Sequence, residues 1–232
     1  QYNVAIGLNT GDSTTTGDRL TLIGTAAGRG AIDNDGQGTV AVGYAAYNAG
    51  TSGIGNTAVG YQSLNVLVGG DGNTAMGYNS GLFLTAGSNS TFIGNLAGQG
   101  ITGTKLTGNS NTAIGQKSGL LLQGGADGNT LVGRKSADSL TTGTNNVVVG
   151  SGALTSAATA TNQIVIGQSA TGVADNSVTL GNASTTAVYM AQDSGATVHA
   201  GSLLTSGNIS GSATSTGSFG AGYIDNKLGI NT

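Results

Sequence analysis

The apolar positions of this chain come in short runs that close on glycine, and the runs recur. NVAIG, LTLIG, TVAVG, NTAVG, NTAMG, STFIG, NTAIG, NTLVG, NVVVG, QIVIG and SVTLG close on Gly7, Gly24, Gly43, Gly60, Gly77, Gly94, Gly115, Gly133, Gly150, Gly167 and Gly181. Most intervals are 17 residues; the longest is 21, from Gly94 to Gly115, and the last is 14. Self-similarity at a fixed period marks a repeat architecture, with insertions such as QGITGTKLTGNSN mapping to loops on one side.

Each run alternates in a way that predicts a short strand. The residue before the glycine is always apolar (Ile6, Val42, Met76, Ile114), and two residues earlier stands Val, Ile or Thr. These two positions share one face of a strand, and β-branched residues suit it. The residue between them points the other way and is usually apolar too, as in Leu22, Ala58, Phe92, Leu131, Val148 and Val165. A strand apolar on both faces is buried on both. One face is expected inside the chain's own coil. The face carrying Leu22, Phe92, Leu131, Val148 and Val165 is expected to lie outward, against identical chains.

Small residues three past each glycine, such as Ala46, Ser63 and Ser136, predict close approach of two segments of one coil. Gly or Asn at Gly38, Gly55, Gly72, Asn89, Gly128, Asn145, Asn162 and Asn176 predict a turn at positive φ before the strand. Asn56, Asn73, Asn111, Asn129 and Asn146 predict a buried amide ladder running from coil to coil. Helix is disfavoured by the glycine and β-branched content, and a propeller blade needs about 40–45 residues per repeat. The expected fold is all-β: a parallel β-roll or β-solenoid of about eleven coils of ~17 residues over 1–184, each coil rising ~4.8 Å. From residue 185 the frame is lost, and 185–232 is expected to be a non-repeat neck or linker leading to a further module.

Composition narrows the class. Glycine fills 44 of 232 positions, proline and cysteine are absent, and charged residues make up 7%, against about 25% in ordinary domains. The net charge of −3 and the aliphatic content exclude a disordered chain. Glycine without a three-residue period excludes collagen. Scattered basic residues give no footprint for nucleic acid, and no apolar run approaches the ~20 residues of a membrane span. The opening Gln1-Tyr2-Asn3 lies inside a repeat, so the chain reads as part of something longer.

Catalytic chemistry is nearly missing from the sequence. The one histidine, His199, stands in the non-repeat tail without a partner for a triad or a metal cluster. A GxGxxG match at Gly98, Gly100 and Gly103 is expected by chance at this glycine content and reads as a loop. Asp33, Asp35 and Gln37 imitate the start of a calcium loop, but no Glu closes it. GGDGN and GGADGN read as turns. The sequons at Asn89, Asn182 and Asn208 carry meaning only in a chain secreted by a eukaryote. No catalytic, cofactor-binding or metal-binding residue is assigned, and the chain is expected not to be an enzyme. Tyr44, Tyr61 and Tyr78 each follow a signature glycine one coil apart and predict an aromatic ladder. Two readings stand for it: a platform for glycans, or packing against a neighbouring chain or coil. Lys117, Arg134 and Lys135 form a small basic cluster.

NTAVGYQSL, NTAMGYNSG and NTAIGQKSG resemble the head repeats of trimeric autotransporter adhesins. The longer period and the Tyr after the glycine are most similar to the related repeats of bacteriophage tail fibres. The tail, NISGSATSTGSFGAGYIDNKLGINT, resembles the linker before the last modules of such fibres. The resemblance implies a left-handed parallel β-roll, a homotrimer and no catalytic set. The function it implies is a structural and adhesive segment of a virion tail fibre for host attachment. A bacterial surface adhesin or extracellular filament is the alternative, and an ice-binding solenoid a further one. The implied partners are two more copies of the chain, other fibre or baseplate proteins and host-surface polysaccharide.

Overall fold

The computed structural model describes residues 2–30, 32–33 and 37–188, which fall in one compact unit ending at Val188. The expected neck falls almost wholly on 189–232, and His199 and Asn208 with it, outside the described residues.

The repeat folds as a parallel β-solenoid. Eleven three-residue strands lie where the apolar runs predict: β1 (Val4–Ile6), β2 (Thr21–Ile23), β3 (Val40–Val42), β4 (Thr57–Val59), β5 (Thr74–Met76), β6 (Thr91–Ile93), β7 (Thr112–Ile114), β8 (Thr130–Val132), β9 (Val147–Val149), β10 (Ile164–Ile166) and β11 (Val178–Leu180). They form one sheet in sequential order, all parallel. The register never slips: Thr57 pairs with Thr74, Ala58 with Ala75, Val59 with Met76, and so on along the stack. Short bridges such as Leu84 with Leu106 and Thr144 with Thr161 close other sides of the coil. The described residues contain no helix.

The signature glycine is imposed by its neighbour one coil on. A Cβ on Gly77 would lie 2.4 Å from the Gly94 carbonyl oxygen, and φ there is +141°. No L side chain fits that spot, so every strand must end in glycine before the chain turns. The turn positions read from the sequence all carry positive φ, with Ser110 and Arg19 filling the same place in other coils.

The centre of the strand faces inward. Leu22, Ala41, Ala58, Ala75, Phe92, Ala113, Leu131, Val148 and Val165 are buried within the single chain, while the residues on either side of them point out. This reverses the expected assignment of faces. The cause lies elsewhere in the coil: a column formed by Leu67, Leu84, Leu106, Leu122 and Leu140 fills the interior from the opposite wall. With that volume occupied, alanine suffices at Ala41, Ala58, Ala75 and Ala113, and the Ile, Val, Met and Leu of the third strand position turn outward. The residues three past the glycine, from Ala27 to Ala170, are buried as expected. In the longest coil Leu106 takes the place beside Leu84, and the extra residues at 102–105 bulge into solvent.

The amide ladder forms. Asn73 Nδ2 donates to Asn56 Oδ1 at 3.1 Å, Asn129 Nδ2 to Asn111 Oδ1 at 2.9 Å, and Asn146 Nδ2 to Asn129 Oδ1 at 2.9 Å. Each amide also donates to a carbonyl of the next coil, as Asn73 does to Gly87 at 2.8 Å. Ser90 interrupts the amide chain between Asn73 and Asn111, yet its hydroxyl still accepts from the Asn111 N–H at 3.2 Å. These residues are fully buried, so the ladder satisfies groups that would otherwise be left unpaired in the core.

Candidate functional site

The surface feature that runs the length of the solenoid is the outward face of its sheet. Two columns compose it. The first residue of each strand is Val, Ile or Thr, and the third is Ile, Val, Met or Leu. Neither column holds a charged residue in any of the eleven strands. Ile6, Met76, Ile93, Ile114, Ile164, Ile166 and Leu180 are exposed, and the rest are half-buried at best. Thr57, Thr74, Thr91, Thr112 and Thr130 stand on this outward face, not on the buried one expected for them.

Two rims border the face. One lies just past the signature glycine and holds Tyr44, Tyr61 and Tyr78. Their rings stack with centroids 5.1 Å apart and planes 13° and 10° from parallel. Both faces of the Tyr61 ring are therefore covered by its neighbours, and the ladder presents ring edges and hydroxyls to solvent. Further along, the rim continues as Asn95, Gln116, Arg134, Ser151, Gln168 and Asn182. Arg134 is exposed, while Lys117 and Lys135 are half-buried at the next position, where the backbone holds φ of +59° and +54°.

The other rim lies at the turn before the strand, and the turn residues act as staples there. Asp71 Oδ1 accepts from the Ile54 N–H at 2.8 Å, Asn109 Oδ1 from the Ser88 N–H at 2.8 Å, Asp127 Oδ1 from the Asn109 N–H at 2.8 Å, and Asp175 Oδ1 from the Thr161 N–H at 2.9 Å. Each side chain thus ties down a backbone donor of the preceding coil. This is the role taken by the acids of GGDGN and GGADGN. Ile54 stands in this rim with 52% of its surface exposed.

One aromatic residue has the opposite fate. Tyr47, three residues past Tyr44, is fully buried. Its hydroxyl donates to the Gly53 carbonyl at 3.3 Å and accepts from Asn56 Nδ2 at 3.4 Å, joining the amide ladder. Burial pushes its phenol up from 10.0 to about 12.

Among the described residues no three His, Cys, Asp or Glu side chains come close enough to hold a metal ion. Gly98 and Gly100 sit in a loop that opens no helix. Asp35 lies outside the described residues, and with it the middle of the calcium-like run. An open depression of about 500 Å³ at the C-terminal end of the roll is lined by Ser169, Thr171, Thr179, Gly181, Asn182 and Ala183, without a charged group. No described helix is long and apolar enough to cross a membrane. Comparison of the chain with protein-family models, curated proteins and solved structures finds no match.

Sequence reasoning found the glycines, the turn positions, the amide ladder and the tyrosine stack. It missed the orientation of the sheet and the second rim. The signal for the rim was present: the sixth residue before each signature glycine is polar in most coils and apolar at Ile54.

Proposed function

We propose that the chain is a structural and adhesive segment of an extracellular fibre, assembled as a homotrimer, and that the fibre is a phage tail fibre used in host attachment. The observation that carries this reading is the uncharged outward sheet face. Eleven strands spaced ~4.8 Å apart make a strip about 50 Å long. Leaving its Ile, Val, Met and Leu side chains in water forfeits roughly 25 cal/mol per Å² of apolar area, and contiguous exposed patches of this kind mark interaction surfaces. With 7% charged residues, little repulsion keeps such rods apart. Burying the strip on an axis shared by identical chains removes the exposure. The number three and the viral owner come from the resemblance of NTAVGYQSL and its fellows to fibre repeats; a bacterial surface adhesin built on the same roll is the alternative. Of the two readings of the Tyr44, Tyr61 and Tyr78 ladder, packing against a neighbouring chain takes the ring edges and hydroxyls, and host polysaccharide would be met elsewhere on the fibre.

The outward threonine column supports a second reading, an ice-binding solenoid, because a flat sheet with regularly spaced hydroxyls and methyls is then free to meet a lattice. The two readings compete for one face. Multi-angle light scattering at micromolar concentration separates them. A stable trimer supports the fibre reading. A well-behaved monomer that also shows thermal hysteresis overturns it in favour of the ice-binding one, and a monomer without hysteresis overturns both.

A further inference from the structure

The two rims of the sheet face match each other coil by coil. In the fourth coil the turn rim holds Ile54, and the rim past the glycine holds Tyr61. In the fifth they hold Asp71 and Tyr78, and in the eighth Asp127 and Arg134. Asp127 and Arg134 lie on opposite sides of β8, and neither forms an ion pair with a described residue. The Arg134 side chain makes no hydrogen bond to another described residue. Ile54 is likewise the apolar member of an otherwise polar rim, and it stands in a tyrosine coil.

We infer that the rim past the glycine of one copy docks against the turn rim of the next copy at the same height, fixing the register of a closed ring of parallel chains. This rests on the proposal that identical chains bury the sheet face. In such a ring every copy presents its face to the axis, so one rim of each chain must meet the opposite rim of its neighbour. Rotation about the axis preserves height, so like-numbered coils meet. Ile54 then packs on the edge of the tyrosine stack. The Tyr78 hydroxyl donates to the carboxylate oxygen of Asp71 that its staple leaves open, since an ionised carboxylate accepts several hydrogen bonds. Arg134 pairs with Asp127.

Register is where the match becomes specific. A slip of one coil keeps Ile54 on a tyrosine but sets Arg134 against Asn109 or Thr144. A slip of three coils one way sets Arg134 on Asp71 but moves Ile54 to Gln116; the other way it sets Arg134 on Asp175 and Ile54 on Leu8. That last slip keeps both pairs but leaves three strands at each end of the sheet face uncovered and cannot close a ring, so only the unslipped arrangement satisfies both pairs and closes. The uniform columns of the sheet face fit equally well at every height, so the rims supply the register that the face lacks.

The natural chain contains no cysteine, which makes the test direct. Ile54→Cys and Tyr61→Cys are placed in one chain and oxidised under mild conditions. A disulfide forms only when the two Cα atoms come within about 7 Å. The expected product is a covalent closed ring, with every chain linked head to tail on a denaturing gel. Mixed single variants should give only a heterodimeric link. The pair Ile54→Cys with Asn95→Cys, two coils out of register, should stay uncrosslinked. If the out-of-register pair links and the in-register pair does not, the register is wrong while the assembly stands. If the in-register pair fails and light scattering still shows an oligomer, the rim contact is wrong. If light scattering shows a monomer, the assembly reading falls, and this one with it.

Discussion

Gly98 leaves open the space that Phe92 fills: a Cβ on Gly98 would lie 2.2 Å from Phe92 Cδ1. The pair belongs to a pattern of compensating volumes. Where the strand centre is large, as at Leu22 and Phe92, the residue six positions on is glycine: Gly28 and Gly98. Where the centre is alanine, at Ala41 and Ala58, the sixth residue is Tyr47 or Leu64. In the coils centred on Ala75 and Ala113 the sixth residue is glycine too, and a Cβ on Gly81 would meet Leu64 and Phe92 of the neighbouring coils, one on Gly119 Leu131 of the next, so volume is balanced between coils as well as within them, as a close-packed interior requires.

That pattern predicts a rescue. Phe92→Ala alone should cost about 3–5 kcal/mol through the cavity it leaves. Gly98→Leu alone should be at least as damaging, because the side chain has nowhere to go. The double variant reproduces the fourth coil, where Leu64 holds φ of +46° beside Ala58. Its denaturation midpoint should exceed that of either single variant, a coupling that neighbouring core residues show and distant ones do not. Additive losses in chemical denaturation would refute the compensation.

The amide ladder gives a second test. Asn129→Ala removes the acceptor for the Asn146 N–H and Nδ2, and the donor to the Gly143 carbonyl. Stranding buried groups costs about 1–3 kcal/mol each, so the variant should lose on the order of 2–4 kcal/mol. Asn95→Ala, at an exposed rim position, should stay within about 0.5 kcal/mol of the parent. Equal losses at the two sites would show that the ladder contributes nothing beyond side-chain size.

Alkaline pH should loosen the third coil. The Tyr47 phenol titrates near 12 in the folded chain and near 10.0 when unfolded, so folding favours the neutral form. Its stabilising contribution is complete below pH 10 and is lost as pH rises toward 12, a change on the order of 2–3 kcal/mol. Stability measured across that window should fall for the parent and fall less for Tyr47→Phe. The phenolate absorbance titration of the variant should lack the component near pH 12. Identical pH profiles for the two proteins would contradict the assignment.

The reversed sheet faces separate fold variants from assembly variants. If identical chains bury the outward strip as proposed, Ile114→Asp places a carboxylate in that contact and should leave the chain monomeric with an unchanged circular dichroism spectrum. Val148→Asp, buried inside the chain, should instead unfold its coil, because an isolated buried charge costs several kcal/mol. Light scattering paired with circular dichroism distinguishes the two outcomes. Dissociation by Val148→Asp with the fold intact would restore the original assignment of faces.

Strand positions were legible because β-branched residues and an obligatory glycine coincide in every coil. The ladder was legible at Asn56, Asn73, Asn111, Asn129 and Asn146 because amides recur at one phase. The faces were not legible, because period-two alternation says which residues share a side and nothing about which side is inside. The large Ile and Val at the first and third strand positions read as core residues, yet leucines at another phase already fill the interior. Tyr44 and Tyr47 make the same point: one residue type, three positions apart, with one ring at the rim and the other in the core. The turn rim was unread because its residues change from coil to coil, from Ile54 to Asp71 to Ser88 to Asn109, and a single repeat shows only one at a time.

The uniform register has a mechanical consequence. Every strand bonds only to the strands before and after it, with the hydrogen bonds running along the rod. Tension applied between the ends of the chain therefore meets the coils one after another rather than the whole sheet at once. A single-molecule pull should peel the rod in repeated small steps. Each would release about 17 residues and lengthen the tether by roughly 55 Å at ~3.3 Å per residue. A solenoid made this way yields under load by graded extension, one coil at a time.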